Sequence, residues 1–250
     1  MAILYVASEA SELKPFASML TGLRKVSWPI DYASEGILEG RRVLLAANGA
    51  GPKLATRAVE VAIRAVTGAE LSSSKLEAVV STGYCGALDA SLRESEIVVA
   101  TRILDLARNQ MSDCAAVTSE SKFASGLMVS QDRVAMDLAE KERLLGHNAI
   151  AVEMEAAGVA ERTKAAGLPF CCIKVVSDRA DEAFRIDFNR MRTTEGRFAR
   201  GKIGLHAITH PKLIGELLRL RRRTQDAAQA LGDFLASCRI NTAAVNTPDE

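Results

Sequence analysis

The sequence predicts a three-layer α/β protein, a central mixed β-sheet flanked by helices, and three observations predict it. Short β-rich runs alternate with helical runs along most of the chain, the pattern of a sheet covered by helices. The 250 residues, 48% apolar and 25% charged, have ordinary globular composition and enough length for one large α/β domain. No internal repeat or Pro/Gly-rich linker divides them, so a single domain is expected over residues 1–240, followed by a flexible tail at 241–250.

The elements follow in order. "AILYVA" (2–7) reads as a buried strand, after which Leu13, Phe16, Leu20 and Leu23 recur at helical spacing. "RVLLAAN" (42–48) is a second strand; Gly49-Ala50-Gly51 turns the chain and Pro52 suits the first turn of a helix. Ala55, Ala58, Val59, Ala62, Ile63 and Val66 mark the inner face of that helix. "LEAVVST" (76–82) is strand-like and ends in a further glycine turn from Gly83 to Gly86; "EIVVATRI" (96–103) is another strand. Residues 104–122 are polar and aperiodic and read as a mobile loop. "GLMVS" (126–130) is strand, 133–146 helix and "AIAVEM" (149–154) strand. A small-residue helix follows, stopped by Gly167 and Pro169, before the strand "FCCIKVVSD" (170–178). A long helix is expected from about 211 to 237.

Composition excludes several function classes. A formal net charge of +1 implies no polyanionic partner, and the short basic run "RLRRR" (219–223) is a solvated helix face. The first residues lack the basic n-region of a signal peptide, and no apolar stretch approaches the ~20 residues of a membrane span. Five cysteines (Cys85, Cys114, Cys171, Cys172, Cys238) at irregular spacing form neither a disulfide framework nor a zinc pattern, so a reducing, cytoplasmic setting is expected. His206 and His210 are four apart, but two ligands do not close a zinc site; no metal or other cofactor is expected. Gly49-x-Gly51 lacks the third glycine of a dinucleotide fingerprint.

Strand ends are where open α/β sheets gather their ligands. Here they carry Glu9 and Glu12, Asn48-Gly49-Ala50-Gly51, Thr82-Gly83-Tyr84-Cys85-Gly86, Glu153-Met154-Glu155 and Ser177-Asp178. Each has a plain structural reading: Glu12 and Glu155 as acids in a helix's first turn, Asp178 as an N-cap, Cys85 as a packing residue. Glu153 and Glu155 lie one residue apart in an otherwise apolar run, where carboxylates are rarely buried without a partner.

Taken together, "ILYVASEASEL", "NGAGPKLA", "VVSTGYCGAL" and "AIAVEMEAAGVAERTKAAGLPFCCIKVVSDRADE" resemble the purine nucleoside phosphorylase / methylthioadenosine–adenosylhomocysteine nucleosidase superfamily, its nucleosidase branch most closely, from residue 2 to about 182. The resemblance implies that Glu155 binds the ribose hydroxyls with Met154 packed against the sugar. It implies that Asp178, supported by Ser177, is the acid at purine N7, and that Glu12 activates water. Gly83 and Gly86 would line the base site, with Met128 and Val129 where the family stacks the base. It also implies a homo-oligomer acting on a small nucleoside.

The chemistry fits those roles. Cleaving an N-ribosyl bond builds positive charge on ribose and negative charge on the departing purine, so one carboxyl must donate a proton while another, ionised, takes one from water. An apolar pocket holds the acid protonated. The chain departs from the family at Tyr84 and Ala87, in its 4% aromatic content, and beyond residue 182. Phosphorolysis of a purine nucleoside, or of an adenosine with a bulky 5′ substituent, is the alternative reading, with Arg57, Arg102 and Arg179 as the available cations. A binding module without catalysis is a second alternative, but it would need neither acid nor base.

Overall fold

The computed structural model describes residues 1–68, 75–193, 196–197 and 214–242. In chain order the elements are β1 (Ala2–Ala7), α1 (Ala10–Ser18), β2 (Thr21–Lys25), β3 (Tyr32–Leu38), β4 (Arg41–Ala47), α2 (Pro52–Gly68), β5 (Leu76–Ala87), β6 (Ile97–Asp105), β7 (Gln110–Asp113) and β8 (Val117–Thr118). They continue with β9 (Ala124–Ser130), α3 (Leu138–Leu145), β10 (Ala149–Glu153), α4 (Ala156–Ala165), β11 (Phe170–Asp178), α5 (Ile214–Ser237) and β12 (Arg239–Ile240).

The main sheet runs β10-β9-β6-β11-β5-β1-β4-β3-β2, with β7 on β6. It is mixed, as expected: β1 is parallel to β4 and β5, and β5 to β11, whereas β6–β11 and β3–β4 are antiparallel. The far end of β5 also pairs with β10 (Val152 opposite Gly86), which closes β5, β11, β6, β9 and β10 into a ring.

The strand period of two sorts the core into layers. Ala2, Leu4 and Val6 of β1 meet Ala55, Ala58 and Val59 of α2 and Val159 and Ala160 of α4 on one face. Ile3, Tyr5 and Ala7 meet Leu13 and Phe16 of α1 and Leu231, Phe234 and Leu235 of α5 on the other. The helices approach closely because glycine stands at the contacts. A Cβ on Gly158 of α4 would lie 2.2 Å from the Pro52 carbonyl oxygen at the start of α2. Alanine would favour the helix by about 1 kcal/mol, but overlap with a backbone atom outweighs that. Gly158→Ala should therefore destabilise by about 1–3 kcal/mol, read as a lowered melting temperature; an unchanged or raised Tm would contradict this packing.

Several sequence expectations need correction. The helical spacing through Leu23 does not persist: α1 ends at Ser18, and Gly22, at φ +62°, sits in strand β2. β2 and β3 were not expected. The polar stretch 104–122 is not a loop throughout, because β7 pairs with β6 and β8 with β12. Gly83 to Gly86 make no turn; β5 continues through them, paired with β11 from Phe170 to Asp178. α3 starts later than read, at its N-cap Asp137, whose side chain accepts from the Glu140 N–H at 2.8 Å. Of the expected tail, Asn241 is tied to the Ala116 carbonyl oxygen at 2.9 Å, and residues 243–250 lie outside the described residues. His206 and His210 lie outside them too. No described helix is long and apolar enough to cross a membrane.

Candidate active site

A cavity of about 1030 Å³ opens at the carboxyl ends of β1, β10 and β11, beside β5, with α1 and α5 forming one wall. Glu12, Met154, Glu155, Ser177, Asp178 and Gly86 all line it.

Glu12 reaches it from the first turn of α1. It is no solvated helix-start acid: it is buried, and its Oε2 accepts from the Ser8 N–H at 3.0 Å. Its carboxylate lies against Gly83, where a Cβ would stand 2.5 Å from Oε2 and where φ is +112°. Gly83 does not itself border the cavity; its missing side chain makes room for the carboxylate that does. Burial first, and the charge of Glu155 second, push the Glu12 carboxyl up to about 8, with Lys174 opposing.

The paired glutamates face Lys174, a residue that sequence reasoning passed over. It points from the middle of β11, fully buried, with Nζ 2.9 Å from Glu153 Oε2, 3.0 Å from Glu155 Oε2 and 3.0 Å from the Thr82 carbonyl oxygen. The two carboxylates divide the work. Glu153 accepts the N–H groups of Glu155 and Ala156 and so takes the capping role at the start of α4. Glu155 makes no cap; it accepts from Lys174 and from the Gly51 N–H at 3.2 Å. Gly51, at φ +103°, thus joins the turn after β4 to the ribose-ligand candidate. Burial pushes the Glu155 carboxyl up, and Lys174 works against it.

Asp178 ends β11 and lies over Gly86, whose Cβ would stand 2.9 Å from Oδ2. Ser177 Oγ donates to Asp178 Oδ1 at 2.8 Å. Burial pushes Asp178 up, and besides Ser177 it has a partner the sequence did not suggest: Lys141 of α3, itself buried, places Nζ 2.6 Å from Oδ2.

Met128 and Val129 do not line the cavity. β9 is an interior strand between β10 and β6, so Met128 is buried in the core with Sδ 3.9 Å from Cys172 Sγ, and Val129 packs with Leu88, Leu104 and Leu144. The wall is built by Val134 and Ala135, just beyond β9, with Val152, Phe184 and Phe188. The two phenylalanines, ring centroids 5.4 Å apart and edge to face, supply the aromatic surface missing from 104–122. Their signal was two Phe four apart in the polar stretch after Asp178. Tyr84 lines the cavity, and its O–H donates to the Thr224 carbonyl oxygen at 2.8 Å, which ties β5 to α5. Burial pushes the Cys85 thiol far above its ordinary value, against a nucleophilic role. Among the described residues no cluster of three His, Cys, Asp or Glu side chains is placed to hold a metal ion.

The arrangement places three buried carboxyls around one cavity, Glu12, Glu155 beside Lys174 and Asp178 beside Lys141. The sequence is 27% identical over 211 residues to the 5′-methylthioadenosine/S-adenosylhomocysteine nucleosidase of Actinobacillus succinogenes, covering 72% of this chain and 87% of that one. The fold is that of the Streptococcus pneumoniae nucleosidase solved with a transition-state inhibitor (TM-score 0.66, 18% identity, 95% of this chain and 99% of that one). It is equally that of a futalosine hydrolase mutant of Helicobacter pylori (TM-score 0.66, 17% identity, 94% and 96%). The profile of the phosphorylase superfamily matches residues 3–114 and 103–201, and on that match across most of its length the chain belongs to the phosphorylase superfamily.

Proposed function

We propose that this protein hydrolyses the N-ribosyl bond of an adenine nucleoside of the methylthioadenosine or adenosylhomocysteine type and releases adenine. The observation that carries this reading is the placement of Glu12 and Asp178. Glu12 lies against Gly83 and Asp178 against Gly86, three residues further along β5. That spacing, about 10 Å of strand, leaves room for a ribosyl group between a base for water and an acid for the purine. Glu155 binds the ribose hydroxyls and stabilises the cationic sugar as the bond breaks, with Met154 beneath it. Val134, Ala135 and the two phenylalanines give the purine its apolar walls.

Phosphorolysis has less support. Arg57, Arg102 and Arg179 do not line the cavity, whose cations among the described residues are Lys14, Arg133 and Arg221; Arg179 pairs with Asp181 at 2.7 Å. A phosphate beside Glu12 would meet its carboxylate. Cytoplasmic location and a homo-oligomeric state belong to the same reading and are supported by the family resemblance and by five unpaired cysteines.

The test is adenine release from methylthioadenosine, adenosylhomocysteine and adenosine, each with and without phosphate. Release at equal rates in both conditions is expected. Release only with phosphate would overturn hydrolysis in favour of phosphorolysis, and binding without release would leave a nucleoside-binding module.

A further inference from the structure

Lys141 has no place in the roles assigned so far, yet it is one of the most deeply buried cations of the protein, 2% exposed. It projects from α3, away from the cavity lining, onto the far side of the acid. Its Nζ donates to Asp178 Oδ2 at 2.6 Å and to the Arg179 carbonyl oxygen, and stands 5.9 Å from the centre of the Phe184 ring. A buried ammonium is retained only where it is paired, and this one is paired with the group that must protonate the leaving purine.

The other charges nearby are engaged elsewhere. Glu182 is held by Arg223 at 2.6 Å, Arg223 also contacts Glu94 at 2.9 Å and the Ser177 carbonyl oxygen, and Arg179 pairs with Asp181. Glu140, next to Lys141 in α3, accepts from Gln131 and Arg133. Lys141 is therefore the cation in direct contact with Asp178.

We propose that Lys141 is a positioning residue for the acid: it orients the Asp178 carboxyl and replaces the proton that Asp178 passes to the purine. The inference rests on the hydrolytic reading above. In the step, the C–N bond breaks with its electron pair going to the purine. A proton on Asp178 moves to the purine nitrogen as one from Lys141 Nζ moves to Asp178. Water adds to the ribose carbon and gives its proton to Glu12. Substrate and water become free purine and ribose, and the enzyme, left with protonated Glu12 and a neutral lysine, resets by exchanging one proton with solvent. Burial, the larger influence, pushes Asp178 up and favours the carboxyl, while the Lys141 ammonium favours the carboxylate until its proton has crossed.

A purely structural tie between α3 and β11 would have a different consequence, and the leaving group separates the two. Adenine needs a proton to depart; 4-nitrophenolate does not. Lys141→Met should lower kcat on methylthioadenosine by about 100-fold or more, with KM changed only a few fold, yet keep 4-nitrophenyl riboside turnover within roughly tenfold of wild type, which also reports that the variant is folded. Equal losses on the two substrates, or no loss on either, would overturn the proposal. Should Lys141→Met fail to fold, Lys141→Arg decides. Preferential loss of adenine release over nitrophenolate release in that variant supports proton supply, because guanidinium keeps the charge and yields its proton poorly; uniform loss overturns it. A wild-type enzyme inactive on all adenine nucleosides would instead overturn the hydrolytic reading.

Discussion

Glu12→Gln is expected to lower kcat for adenine release by about 10²–10⁴-fold while leaving KM within a few fold. The amide is nearly the same shape and its oxygen can still accept from the Ser8 N–H, so the variant should fold and bind; it cannot take a proton from water. The pH dependence gives the same test a second reading. Burial and the neighbouring Glu155 raise the Glu12 carboxyl to about 8, so in the free enzyme the base becomes protonated as pH falls through that value. Below it, kcat/KM should fall about tenfold per pH unit, and Glu12→Gln should remove that limb from its residual activity. Wild-type activity holding level down to the ordinary carboxylate range, or a Gln variant with full turnover, would take Glu12 out of the base role.

Lys174→Met should have the largest effect on stability. Lys174 is the shared partner of Glu153, Glu155 and the Thr82 carbonyl oxygen, all deep in the protein. Removing one side of a buried ion pair costs about 3–5 kcal/mol, because the remaining charges stay without compensation. For a chain of this length that is a fall in Tm of roughly 10 °C. The sign of the pH dependence follows from Glu155, whose folded carboxyl burial already raises above its unfolded value and which would rise further without the lysine. A group raised in this way favours the folded state most below its unfolded pKa, and that contribution is lost as pH rises through the folded one. The deficit of Lys174→Met should therefore be smaller at pH 5 than at pH 8, as followed by thermal denaturation at both. A variant within a degree of wild type, or one equally destabilised at both pH values, would contradict this view of the triad.

Much of this protein is legible from its sequence where apolar runs meet strong punctuation. β1, β4, β10 and β11 stand out as apolar runs, and Gly49-Ala50-Gly51-Pro52 and Gly167-Leu168-Pro169 mark helix boundaries. β2 is not legible: all five of its residues are exposed, so it carries no apolar pattern and owes its existence to pairing with β3. Gly83 and Gly86 suggested a turn because glycine usually permits one. Here it permits two carboxylates to reach a continuing strand, a need visible only once α1 and β11 are in place. Glu12, Glu155 and Asp178 were recoverable from the motifs that contain them. Lys141 was not, since one lysine in a helix rich in charge looks the same whether it reaches solvent or a buried acid. For Lys174 a signal did exist: it shares strand parity with the buried Cys172 and Val176, which points it at the face carrying Glu155. Met128 and Val129 were assigned a few residues too early, because the strand that contains them is interior on both sides and the cavity wall begins after it ends.

The claim at the centre of this account is that water, held by Glu12, attacks the ribose. The most direct measurement is to run the reaction on methylthioadenosine in phosphate-free buffer made with heavy-oxygen water and to weigh the sugar product. Hydrolysis predicts adenine release with one heavy oxygen at the anomeric carbon of the methylthioribose. Release that requires added phosphate and yields an unlabelled methylthioribose 1-phosphate would contradict it.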